Sequence, residues 1–134
     1  MTLIVCLDND DGMLFNKRRQ SRDVCVCDRI LQIVRGNKLY MNAYSAKLFP
    51  PDSVIVTEAP LEDAVGNSFV FSENLNIAET VCRADQIIVY RWNRQYPSDV
   101  KFPKNILHTQ FVLRETEEFP GKSHDVITEE VYAR

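Results

Sequence analysis

The sequence predicts one α/β domain in three layers, with a mainly parallel mixed sheet and an antiparallel C-terminal strand. Three observations predict it. Short apolar and β-branched runs recur at residues 3–7, 54–57, 68–71 and 86–92. Between them, apolar residues return at helical spacing over 24–34 and 75–84. The chain then closes with two β-rich runs, 111–115 and 126–132, parted by a polar stretch as in an antiparallel pair.

Residues 3–7 are uninterruptedly apolar, as a central strand buried on both faces must be. Asp8, Asn9, Asp10, Asp11 and Gly12 break that run with a polar turn. Residues 13–20 mix apolar and basic side chains without period, which predicts a loop. Ser21 stands where a helix cap belongs. Val24, Cys27, Leu31 and Val34 then recur at helical spacing, flanked by Val26, Ile30 and Ile33, and Gly36 suits the helix end. Residues 38–41 read as a second strand, and 44–49 as a short helix stopped by Pro50 and Pro51. Residues 54–57 form a third strand and 68–71 another. An amphipathic helix follows over 75–84, then a strand over 86–92 and a turn at Pro97.

Composition narrows the function. The 134 residues fit a single domain, 1–134, and 45% hydrophobic with 26% charged residues is ordinary for a globular chain. A chain this long buries roughly two-thirds of its unfolded surface, so folding needs no staple or metal. Sixteen basic against nineteen acidic residues give a net charge of −3, which argues against nucleic-acid binding by bulk charge. No apolar run is long enough to cross a bilayer. Residues 1–7 lack a basic flank and a cleavage site, so they read as a strand and not as a signal peptide. Cys6, Cys25, Cys27 and Cys82 have no framework spacing and sit in apolar segments, as buried free thiols of a cytoplasmic protein do.

Several segments resemble the dihydrofolate reductase family in order and wording. Leu3, Ile4, Val5, Cys6, Leu7 and Asp8, followed by Gly12 and Met13, resemble its first strand and active-site loop. Tyr90, Arg91 and Trp92, continuing to Pro97, Asp99, Phe102 and Pro103, are similar to its late strand and D-x-x-F-P turn. Ser123 and His124 through Tyr132, Ala133 and Arg134 resemble its closing strand, and 70–92 fits its strand–glycines–helix–strand unit. The resemblance implies the fold stated above.

The departures imply that reductase chemistry is lost. The family's glycine-rich turn, which receives the cofactor pyrophosphate, reads Ser72, Glu73, Asn74 here. A carboxylate there, about 6 Å from a phosphate charge, repels it by ~3 kcal/mol at an effective dielectric near 20. The Gly-Arg pair used on the cofactor phosphate reads Asn42, Ala43. The arginine that clamps the substrate carboxylate falls among Pro51, Asp52 and Ser53. The Pro-Trp signature of the active-site loop is replaced by Asn16, Lys17, Arg18 and Arg19. Only residues 58–67 separate the third strand from the next, so one strand–helix unit is missing. That unit supplies an outer strand in the family, so 54–57 should lie at a bare edge and invite a homodimer. No cofactor is expected. A divergent reductase acting on a pterin-like or nucleotide substrate is the enzymatic alternative.

The chain is also similar to small clostridial-type proteins that carry the label ribonuclease Z. True ribonuclease Z holds two zinc ions with a His-x-His-x-Asp-His cluster. This chain has two histidines, His108 and His124, and neither lies in such a cluster, so the residues do not support the label.

Few residues remain for chemistry. Asp23 lies near the position of the family's pterin carboxylate, where a bidentate acceptor meets the ring's amidine-like edge. It is the candidate catalytic residue; its plainer role is an acid in the first turn of a helix. Arg18, Arg19 and Arg22, with Tyr44 and Ser45 from the short helix, are the candidate ligand-binding residues. With Lys17, Arg91 and Arg94, the arginines suit an anion, either a nucleotide or an RNA phosphate, with Trp92 or Tyr96 for stacking. Their plainer role is a solvated run paired to Asp8, Asp10 and Asp11. Cys25 and Cys27 sit two apart, on different faces of a helix, so they make no metal half-site. His108 and His124 flank polar loops and are expected at the surface.

Overall fold

The computed structural model describes residues 1–73 and 77–134. Strand β1 (Thr2–Leu7) runs through the middle of a seven-stranded sheet. Its alternation feeds two cores. Leu3, Val5 and Leu7 enter one buried cluster and Ile4 enters the other, on the opposite face. Polar Asp8 ends the run, as expected.

Residues 13–20 are a hairpin and not the expected loop. Strand β2 (Gly12–Phe15) pairs antiparallel with β3 (Arg18–Arg19). The turn residues Asn16 and Lys17 both take positive φ, 52° and 62°. Type I′ hairpins require this, and glycine usually supplies it; a lysine there hides the signal.

Helix α1 (Val24–Ile33) buries Val26 and Ile30 against the second core. Its cap is Asp23, and not Ser21 as expected. The Asp23 carboxylate accepts the Cys25 amide, and aspartate caps as well as serine does. The helix stops at Val34, two residues before Gly36, which takes φ 81° in the turn beyond. Strand β4 (Leu39–Met41) follows, then the single turn of α2 (Ala43–Ala46), capped by Asn42.

Strand β5 (Ile55–Val56) occupies the expected sheet edge. Residues 58–67 then hold only one helical turn, α3 (Pro60–Asp63), where a whole strand–helix unit was expected to be missing. Strand β6 (Phe69–Phe71) returns beside β1. Helix α4 (Ile77–Arg83) covers the first core with Val81; residues 75 and 76 of the expected helix lie outside the described residues. Cys82 is exposed there, against expectation, because Thr80 and Val81 face the sheet.

Strand β7 (Gln86–Arg91) lies on the other side of β1. Strand β8 (Val100–Lys101) and helix α5 (Lys104–Gln110) were not expected; each is short, and α5 buries only Leu107. Strand β8 joins the hairpin as a three-stranded side sheet. Strands β9 (Val112–Phe119) and β10 (Ile127–Ala133) close the fold.

The large sheet runs β5-β4-β6-β1-β7-β10-β9. Strand β10 is antiparallel to both of its neighbours, and the other pairings are parallel. Side chains of α4 and α5 share the first core, and those of α1 share the second with Met41, Phe71, Tyr90 and Trp92. The result is three layers on a mainly parallel sheet, the predicted class. Among the described residues no helix is long and apolar enough to cross a membrane.

Candidate functional site

Two clusters form on the α1 side of the sheet. The first gathers Arg19, Tyr44 and Ser45 around Glu73. Arg19 donates Nε to Glu73 Oε2 at 2.8 Å and Nη2 to Oε1 at 3.0 Å. Ser45 Oγ donates to the same Oε1 at 2.7 Å. The guanidinium also lies 4.1 Å above the Tyr44 ring, and the Arg19 amide donates to the Tyr44 hydroxyl at 3.0 Å. Glu73 is 9% exposed, and both of its carboxylate oxygens accept hydrogen bonds.

Glu73 therefore does not stand alone after β6. The bare repulsion expected of it is cancelled by Arg19, since a bidentate pair is close to neutral at a distance. Of the five candidate ligand residues, three meet here, and they meet on a side chain. Arg18 and Arg22 are exposed. Asn74 lies outside the described residues.

Of the pairings expected for the basic run, the one between Arg91 and Asp11 forms. Asp10 pairs with Lys101, and Asp11 with Arg91, which also holds Glu130 at 3.0 Å. Asp8 accepts the amides of Asp10, Gly12 and Tyr96 and the Gln20 side chain. Arg91 is thereby committed elsewhere and does not extend the run. Asp10 and Asp11 thus pair with residues of β8 and β7, far from them in sequence.

The second cluster centres on Asp23. Its carboxylate is buried and gathers the turn between β9 and β10. Oδ1 accepts the amides of Cys25 at 2.9 Å and Lys122 at 3.0 Å. Oδ2 accepts the amides of Lys122, Ser123 and His124, and the His124 ring nitrogen Nδ1 at 3.0 Å. Burial by itself would raise this carboxyl, but these donors outweigh it and hold it well below the usual carboxylate range. A carboxylate offers about four lone-pair directions, so none is left for a ligand.

His124 is 3% exposed, and not at the surface as expected. Its ring stacks on Trp92 at 4.6 Å and 19° between planes. Its Nε2 lies 3.0 Å from both Ser21 Oγ and Tyr96 Oη. Trp92 is consequently buried and not free to stack on a base. The turn fits tightly: a Cβ on Gly121 would meet Asp23 Oδ2 at 2.6 Å. No sequence signal marked this partner, because Asp23 and His124 lie 101 residues apart. His108, by contrast, is exposed on α5.

Between the clusters, Cys6, Val26, Cys27, Ile30, Phe71 and Trp92 close over a hollow of about 10 Å³, room for at most one water. Burial pushes the Cys27 thiol up to about 11 and the Cys6 thiol well above its ordinary value, so neither is a thiolate at neutral pH. Among the described residues no three His, Cys, Asp or Glu side chains gather as metal ligands would. A wider cleft of about 110 Å³ adjoins the hollow, lined by Arg22, Asp23, Val24, Cys27, Lys47 and Leu48.

No family model and none of the curated proteins matches this sequence. Among solved structures, dihydrofolate reductase from Enterococcus faecalis, complexed with NADP(H) and RAB-propyl, is similar at a TM-score of 0.71. The match covers 99% of this chain and 95% of that one, at 13% sequence identity. That identity speaks to architecture alone, and on it this chain has the dihydrofolate reductase fold.

Proposed function

We propose that this protein uses the dihydrofolate reductase scaffold without NADPH-dependent reduction of a pterin. The observation that carries this reading is the Arg19–Glu73–Ser45 clamp. It occupies the end of β6, where the resemblance would have glycines admit a pyrophosphate. A phosphate entering there must first break a buried bidentate pair, and gains no free cation until it does. The saturated Asp23 carboxylate supports the same reading, since an amidine-like edge finds no acceptor on it.

Titration calorimetry with NADPH and NADH tests this directly. No heat of binding is expected up to high micromolar ligand. Low-micromolar binding of either would restore the divergent reductase. The nucleotide or RNA module is less favoured, because Arg19 and Trp92 are committed internally.

The same reading includes a homodimer and a cytoplasmic setting, the latter supported by four free cysteines. Ile55 and Val56 are exposed on an edge strand with an open ladder face. Light scattering at high micromolar concentration is expected to give a dimer that Val56→Lys dissolves. A monomer of the unsubstituted protein overturns it.

A further inference from the structure

We infer that Ser21, His124 and Asp23 form a nucleophilic site that transfers small acyl groups. Nothing in the reductase resemblance requires these three to meet. The geometry has the parts that activate a serine: a nucleophile, a base within hydrogen-bond reach, and a third group orienting the base. Asp23 Oδ2 lies 3.0 Å from His124 Nδ1, with both side chains almost fully buried. The ionised carboxylate assigns the ring proton to Nδ1, leaving the Nε2 lone pair to accept from Ser21 Oγ or Tyr96 Oη. Ser21 Oγ stands 3.0 Å from that lone pair. Tyr96 Oη stands 3.3 Å from Ser21 Oγ and 3.0 Å from Nε2, so the serine's proton reaches Nε2 when the tyrosine's proton is turned to Ser21.

The surroundings fit that task. Stacking on Trp92 fixes the imidazole plane, and three amides of the β9–β10 turn fix the carboxylate. Ser21 is half-buried and borders the small hollow, which shares Arg22, Asp23, Cys27 and Leu48 with the wider cleft. Arg22 and Lys47 line that cleft, so the acyl group it favours carries an anionic end. At about 110 Å³ the cleft has room for an acyl group of a few carbons.

The step balances with water alone. Ser21 Oγ bonds to the ester carbonyl carbon as its proton passes to His124 Nε2. The carbon–oxygen bond to the leaving alcohol then breaks, and the alcohol takes the proton from Nε2. Water attacks the acyl-serine in turn, giving one proton to Nε2. The carbon–Oγ bond breaks, and that proton returns to Ser21. Tyr96 Oη is the donor placed to turn toward the oxyanion during both attacks.

Labelling with a small alkyl fluorophosphonate tests the site, read by intact mass and peptide mapping. A single adduct on Ser21 is expected, absent from Ser21→Ala, with Tyr96→Phe labelled at least tenfold more slowly. Hydrolysis of the p-nitrophenyl monoester of succinate should exceed that of p-nitrophenyl acetate. Arg22→Gln and Lys47→Gln should raise KM for the succinate ester severalfold with kcat kept. No adduct at millimolar probe, an adduct that survives Ser21→Ala, or one on Tyr96 overturns the proposal. Neither readout depends on whether NADPH binds.

Discussion

Asp23→Asn is expected to destabilise the protein by about 3–5 kcal/mol, the range for breaking a buried, fully hydrogen-bonded charge network. The amide replaces one acceptor oxygen with a donor that faces backbone N–H groups. Either the Cys25 cap or the Ser123 and His124 amides then lose their partner. Urea denaturation at pH 7 measures this, with an unchanged slope showing that the unfolded state is the same. The pH dependence has a fixed sign. The Asp23 carboxyl is held below its ordinary value in the folded protein. Its contribution is therefore complete above the unfolded pKa of about 4 and is lost as pH falls toward the folded one. The gap between the two proteins should shrink on acidification below that point. A gap that is constant with pH would mean the charge is not what Asp23 supplies.

Arg19→Ala is expected to cost a comparable amount, about 3–5 kcal/mol, because it leaves Glu73 buried with only Ser45 to meet it. The informative variant is the pair Arg19→Met with Glu73→Leu. Replacing both ions with apolar groups of similar volume removes the stranded charge, and most of the loss should return. Arg19→Lys should not restore stability, since an ammonium cannot reproduce the two parallel bonds or the stack on Tyr44. Thermal melts of the four proteins decide this. Equal loss in the single and double variants would show that the two side chains are not coupled.

The sheet was legible because its signal is local. Residues 3–7 and 87–90 are apolar without break, and only a strand covered on both faces needs that. The α1 helix was legible by its spacing, although its cap was misplaced by two residues because two capping types, Ser21 and Asp23, stand close together. The hairpin was not legible, since Asn16 and Lys17 reach positive φ without the glycine that announces it. Helix α5 was missed because a seven-residue helix burying one leucine has almost no period to detect. Of the site, Arg19, Tyr44 and Ser45 were singled out as residues, yet their shared partner Glu73 was read as isolated. Sequence gives residue types along a line; the clamp exists only where β3, α2 and the end of β6 converge. His124 was misread for the same reason, its polar flanks describing its chain neighbours and not its surroundings.

The turn that seats on Asp23 has a consequence for how the chain is made. The cap of the first long helix receives three of its amide donors from residues 122–124, and β10 must enter between β7 and β9 to bring them. A ribosome therefore releases residues 1–124 before α1 acquires its final partners. Until then β7 presents a bare apolar edge, and the Asp23 carboxylate remains in water. Contacts this distant in sequence slow folding, because loop closure comes before any gain from the contact. Assembly should thus be late and concerted, with the C-terminal hairpin as its final, enabling piece, and nascent chains halted before residue 122 exposed to proteolysis and in need of chaperones.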